Sequence, residues 1–142
     1  MKISKNFELY EFTDSETAKA LGITNTNLSL RTIDNIKSLV NNVLQPLRDS
    51  IGKPIKIISG YRCERLNAAV KGSKTSQHMT GQACDIKIIG MSSLEIAKKV
   101  LELGLSFDQL ILYPSFVHIS HSYNNRKQIL YNKSYNGQKI AN

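Results

Sequence analysis

The sequence contains no tryptophan, only three prolines and two cysteines, and fewer acidic residues (11) than basic ones (19). Each scarcity excludes something. Two cysteines, Cys63 and Cys84, in a chain with no evident secretory leader argue against a disulfide framework. They read as small buried residues, with pairing or metal binding as the alternative because both lie beside the motifs described below. The prolines are widely spread and no repeat or low-complexity tract occurs, so no linker is apparent. A chain of 142 residues with 41 % hydrophobic content is expected to form one domain, residues 1–142, with a sufficient core of its own. Long apolar runs are missing too. Stretches such as Ile55 to Ile58 and Leu110 to Leu112 fall far short of the roughly 20 residues a membrane-spanning helix needs, so no membrane insertion is expected. Glu8 and Glu11 stand where a secretory signal would require an uninterrupted apolar stretch. Synthesis in the cytoplasm without a signal peptide is the expectation, and work outside the cell would then need another exit route.

What is abundant is positive charge, +8 net with a pI near 9.6. Such a field favours anionic partners: nucleic acid, acidic lipid headgroups or acidic cell-wall polymers. The basic residues are scattered, with a mild concentration at Arg126, Lys127, Lys133 and Lys139. Without a dense basic run interleaved with aromatics, or a zinc-finger or helix-turn-helix pattern, nucleic acid is not the expected partner.

Hydrophobic periodicity and turn residues predict the elements. Asp14 to Leu21 reads as a short helix, capped by Asp14 or Ser15 and ended by Gly22. From Ser29 to about Ser50, Ile33, Ile36, Val40, Val43, Leu44 and Leu47 recur at helical spacing, and Pro46 predicts a kink or break. Strands are expected over Pro54 to Ser59 and Ala83 to Ile88, a short helix over Cys63 to Val70, and a loop from Lys71 to Gln77. Ser92 and Glu95 form a capping box ahead of a helix that ends near Gly104. Gln109 to Leu112 and Phe116 to Ser120 predict a hairpin, with a last strand over Gln128 to Tyr131. The sum is an α+β domain, a mostly antiparallel sheet with helices packed on one side.

The segment Ser76-Gln77-His78-Met79-Thr80-Gly81-Gln82-Ala83-Cys84-Asp85 concentrates the chemistry. A histidine ending a loop, then a glycine, then an aspartate entering a strand would let imidazole and carboxylate converge. Zinc accepts such ligands, and a hydrolytic site uses three from the protein plus an open water position. His118 and His121 are the remaining histidines. His118 lies in the alternating Phe116-Val117-His118-Ile119-Ser120, where Phe116, His118 and Ser120 share one face. His121, at odd spacing from it, is expected on the other side, exposed or supporting. Spacing alone leaves metal ligation, a surface pair and a satisfied core histidine all open.

Three ordered motifs, Ser59-Gly60-Tyr61-Arg62, Ser76-x-His78-x-x-Gly81-x-Ala83-x-Asp85 and Val117-His118-Ile119-Ser120, resemble the zinc D-Ala-D-Ala carboxypeptidase family. That family also includes phage endolysins that cut L-alanyl-D-glutamate bonds. The resemblance runs from Phe7-Glu8-Leu9-Tyr10-Glu11-Phe12 to about Leu130. It implies a zinc metallopeptidase acting on peptidoglycan stem peptides, a zinc site at the sheet, and His78, Asp85 and His118 as ligands. It places Arg62 against a substrate carboxylate or carbonyl, a task its planar fork suits. Ser76 is placed to contact substrate or orient His78. Tyr113, read from its position near His118 and not from the resemblance, is a candidate to hydrogen-bond the oxyanion. A phage enzyme would reach the cell wall through a holin or in the virion, and a monomer is the expectation. One position departs from the pattern. The family's general base is commonly an acid three residues before the last histidine, and that residue is Ser115; Glu102 and Asp108 are the nearest upstream acids. The departure gives a rival expectation, a zinc-containing cell-wall-binding module with little or no activity.

Overall fold

The computed structural model describes residues 1–140. A two-stranded ribbon, β1 (Lys2–Ser4) and β2 (Phe7–Glu8), leads into the short α1 (Tyr10–Thr13) and α2 (Glu16–Leu21). Then come α3 (Leu30–Leu39), a π-helical turn (Val40–Leu44) and α4 (Gln45–Ile51). The remaining elements are β3 (Lys56–Ser59), α5 (Glu64–Ala69), a 3₁₀ turn (Gln77–Thr80), β4 (Ala83–Lys87), α6 (Ser93–Glu102), β5 (Gln109–Leu112), β6 (Val117–Ser120) and β7 (Gln128–Tyr131).

The caps form as their residue types dictate. The Ser15 side chain accepts from the Ala18 amide, and Gly22 closes α2 in the left-handed region. Ser92 and Glu95 complete both halves of the capping box on α6. The long helix expected from Ser29 is interrupted, but ahead of Pro46 and not at it. Proline has no N–H and its ring crowds the carbonyl four residues back. The chain widens into the π turn, in which the Gln45 amide reaches Val40, and resumes as α4 with the proline in its first turn.

The main sheet has the order β3-β4-β6-β5-β7. All neighbours are antiparallel except β5 and β7, which run parallel. Pleating divides it into two faces. Cys84, Ile86, Leu110, Leu112, Val117 and Ile119 are fully buried on one, in a single cluster with Ile36, Leu39, Val43 and Leu47 from the helices before β3 and Ile96 and Val100 from α6. Asp85, His118 and Ile111 are cross-strand neighbours on the other. The large helices cover the first face, as expected, which leaves the second free to carry a site. None of the described helices is long and apolar enough to cross a membrane.

Candidate metal centre

Two adjacent strands supply two of the converging groups. Asp85 on β4 is paired in register with His118 on β6, and the His118 Nδ1 lies 3.0 Å from an Asp85 carboxylate oxygen. His78 arrives from the 3₁₀ turn, which packs on β4 and α5. Its Nε2 lies 3.3 Å from the His118 Nδ1 and 3.4 Å from the same Asp85 oxygen. Two glycines permit this approach. Gly81 ends the turn at φ +77°, and a Cβ there would sit 2.7 Å from the Thr32 carbonyl on α3. A Cβ on Gly60 would sit 2.6 Å from the Phe12 carbonyl on α1.

The Gly60 carbonyl also fixes the state of His78. It lies 2.7 Å from Nδ1 and can only accept, so Nδ1 carries the proton and Nε2 turns its lone pair to the centre. Second partners of this kind are what orient metal-ligating histidines. Ser76 contributes at one remove: its Oγ accepts the His78 amide at 3.2 Å and a hydrogen bond from the Arg62 Nη2, also at 3.2 Å.

The three atoms stand 3.0 to 3.4 Å apart. A tetrahedral ion bound at about 2.0–2.2 Å separates its ligands by roughly 3.3–3.5 Å, so the triad fits a divalent cation with little movement. Burial raises the pKa of the Asp85 carboxyl, but the two imidazoles beside it, His118 first and then His78, outweigh it and bring the value down to about 2. The group stays ionised at neutral pH, as a ligand must.

The triad lies in an open cleft of about 720 Å³ that also takes in Arg62, Tyr113 and Arg126. Arg62 is half-buried, and its Nε is a buried donor without an acceptor among the described residues. Burial lowers its pKa, with Asp85 and then Tyr113 opposing. Tyr113 stacks on Phe116, centroids 4.3 Å apart. Burial and then the Asp85 charge raise its phenol, with Arg62 opposing, so at neutral pH it is a hydrogen-bond donor and not a base.

The acids weighed as general bases do not fill that role. Ser115 stands exposed at the family's position for the acid. Glu102 is exposed at the end of α6, beside Lys99. Asp108 is buried and fully engaged: one oxygen accepts from the Arg126 amide and Nε, the other from Arg126 Nη2 and Gln77 Nε2. Among the described residues Asp85 is the one carboxylate in the cleft lining. His121 stays outside the triad, with its Nδ1 3.3 Å from the Ser38 hydroxyl. Cys63 and Cys84 are both free thiols; Cys63 caps α5, and Cys84 faces the core.

Sequence reasoning passed over Asn25, gave Gln77 no role, and weighed Asp108 only as a base. Asn25 is buried and ties the Gly60–Cys63 loop down: its amide donates to Thr13 and Tyr61 carbonyls and its oxygen accepts from Cys63. No periodicity marks an isolated asparagine in a loop, and only its three backbone partners reveal it.

A small α+β domain in which two strands and a 3₁₀ turn bring together a His/Asp/His group able to hold a divalent cation is the class this geometry defines. The family model described as Peptidase M15 matches residues 5–120, and the chain belongs to that family. Membership makes a peptidase, acting at the family level on peptidoglycan, the coarse functional assignment. No curated protein matches the chain.

Proposed function

We propose that this family member is a zinc-dependent peptidase that hydrolyses peptide bonds in peptidoglycan stem peptides, as a carboxypeptidase or an endolysin-type endopeptidase. The observation that carries the reading is the convergence of His78 Nε2, Asp85 Oδ1 and His118 Nδ1 inside a cleft lined by Arg62 and Tyr113. The donor set of two imidazoles and one carboxylate suits zinc with a coordination position left over. When bound, zinc supplies Lewis acidity and a water whose pKa falls towards roughly 7.

The chain's own residues supply the rest. Arg62, which lines the cleft with its Nη2 held by Ser76, holds a carboxylate or carbonyl of the peptide and fixes the scissile bond relative to the ligands. Ser76 sets the position of both Arg62 and His78. The protonated Tyr113 donates a hydrogen bond to the developing oxyanion.

The test is release of amino groups from purified peptidoglycan by zinc-loaded protein, beside His118→Ala and a chelator-treated sample, with metal content measured by mass spectrometry. One bound zinc and release that depends on it and on His118 is the expected result. Protein that takes up no stoichiometric zinc refutes the proposal.

The cleft favours one second reading because it holds no carboxylate but a ligand. A positioned general base contributes about 10²–10⁴-fold, and a wall-binding relative would dispense with it. That reading predicts zinc, co-sedimentation with sacculi, and no release.

A further inference from the structure

The cleft holds a second guanidinium. Arg126 lies in the loop before β7, and its position is set by Asp108 and not by solvent. Asp108 is only 3 % exposed, and its two oxygens take the Arg126 Nε at 2.8 Å and Nη2 at 2.9 Å, with the Arg126 backbone amide at 3.0 Å. The backbone continues the clamp: Lys127 donates to the Phe107 carbonyl and Gln128 to that of Asp108. The fourth bond to this carboxylate comes from Gln77, the residue before His78, so one buried acid ties the ligand-bearing turn to Arg126. A guanidinium has five N–H donors. Asp108 uses two of the side chain's, and Nη1 has no partner among the described residues, although the residue lines the cleft.

Arg62 lines the same cleft, with its Nη2 donating to the Ser76 hydroxyl. Lys71 adds a third basic residue to the lining, in which Asp85 is the one acid among the described residues, while Asp108 behind the cleft pairs with Arg126. A cleft with two pre-oriented guanidinium forks is built for a ligand with two anionic groups.

We propose that Arg126, fixed by Asp108, is a second carboxylate anchor of this cleft, so that the preferred substrates are peptides carrying two free carboxylates, one for Arg62 and one for Arg126. Arg126 is a specificity residue and Asp108 a positioning residue. The choice of a peptide as ligand rests on the peptidase reading; the demand for two carboxylates rests on the two arginines.

The experiment uses zinc-loaded full chain and a synthetic stem peptide with its γ-linked glutamate α-carboxylate and its C-terminal carboxylate both free. Two further forms each carry one of these as carboxamide. KM and kcat are measured where a peptide is cleaved, and Kd by calorimetry where it is not. In the wild type, either amidation weakens KM or Kd by at least about tenfold, the size of a lost charge-assisted hydrogen bond. In Arg126→Gln, which alters an exposed side chain, one amidation becomes silent and the other stays costly. Arg126→Lys keeps the charge without the fork and falls between. Asp108→Asn raises KM or Kd for the doubly charged peptide while native circular dichroism is retained. Arg126→Gln that keeps the wild-type ratios among the three peptides overturns the proposal. Selective binding without cleavage would sink the peptidase reading and leave the second anchor standing; cleavage indifferent to amidation would do the reverse.

Discussion

Replacing Asn25 with alanine probes how a residue far in sequence from His78, Asp85 and His118 holds that group together. The asparagine is 4 % exposed, and its amide donates to the Thr13 carbonyl at 3.0 Å and the Tyr61 carbonyl at 2.9 Å, while its oxygen accepts the Cys63 amide at 2.8 Å. Alanine leaves three backbone groups without that partner. Each costs about 1–3 kcal/mol if buried and dry, and water entering the space left by the side chain recovers part of it, so the expected loss is about 3 kcal/mol. A domain with a typical 5–15 kcal/mol survives this. Tyr61 follows Gly60, whose carbonyl holds the His78 Nδ1, so the same substitution loosens a ligand's second partner. Metal affinity should fall roughly 10–100-fold. Urea denaturation of metal-free protein reads the first quantity, and competition with a zinc chelator reads the second. Asn25→Asp serves as a companion: it keeps the acceptor for Cys63 but points carboxylate oxygens at two carbonyls, and should destabilise at least as much. A loss under about 1 kcal/mol with unchanged metal affinity would refute the reasoning. The loop would then be held by its own bonds, Tyr61 to Phe12 and Arg62 to His78.

Two further substitutions test the frame around the cleft. Gly81→Ala should cost about 2–4 kcal/mol, because a left-handed backbone and a Cβ 2.7 Å from the Thr32 carbonyl act together. Gly52→Ala, also left-handed at φ +66° but with nothing within 4 Å, should cost only about 1–2 kcal/mol; equal losses in chemical denaturation would remove the packing argument. The Asp108 carboxyl is held below the usual carboxylate range, chiefly by hydrogen bonds from Arg126. A folded pKa below the unfolded value near 3.9 means its stabilisation is complete above that pH and is lost as pH falls through the lower range. Thermal midpoints of Asp108→Asn should therefore decline less steeply than wild type below about pH 4, and parallel acid limbs would count against the ion pair.

Local chemistry was written plainly in the sequence. The Ser15 and Ser92 caps, the glycine that ends α2, the alternation of Val117 to Ser120 and the hairpin of β5 and β6 all follow from interactions within a few residues, and each formed as expected. The metal triad was legible only through the order of three motifs, since nothing local says that His78 and His118, 40 residues apart, meet at 3.3 Å. Other features were decided by the assembled fold. The two-residue β2 is too short for a periodic signal, and β7 could not announce that it would pair parallel with β5. The break near Pro46 was foreseeable, since the ring crowds the Asn42 carbonyl, but its form as a π turn over Val40–Leu44 was not. Asn25, Gln77 and Asp108 acquire their roles only when distant backbone and side-chain groups arrive beside them. Periodicity, capping and turn chemistry act over a few residues and are therefore fixed by sequence. A buried polar group's function depends on which partners replace its water, and only tertiary structure chooses them.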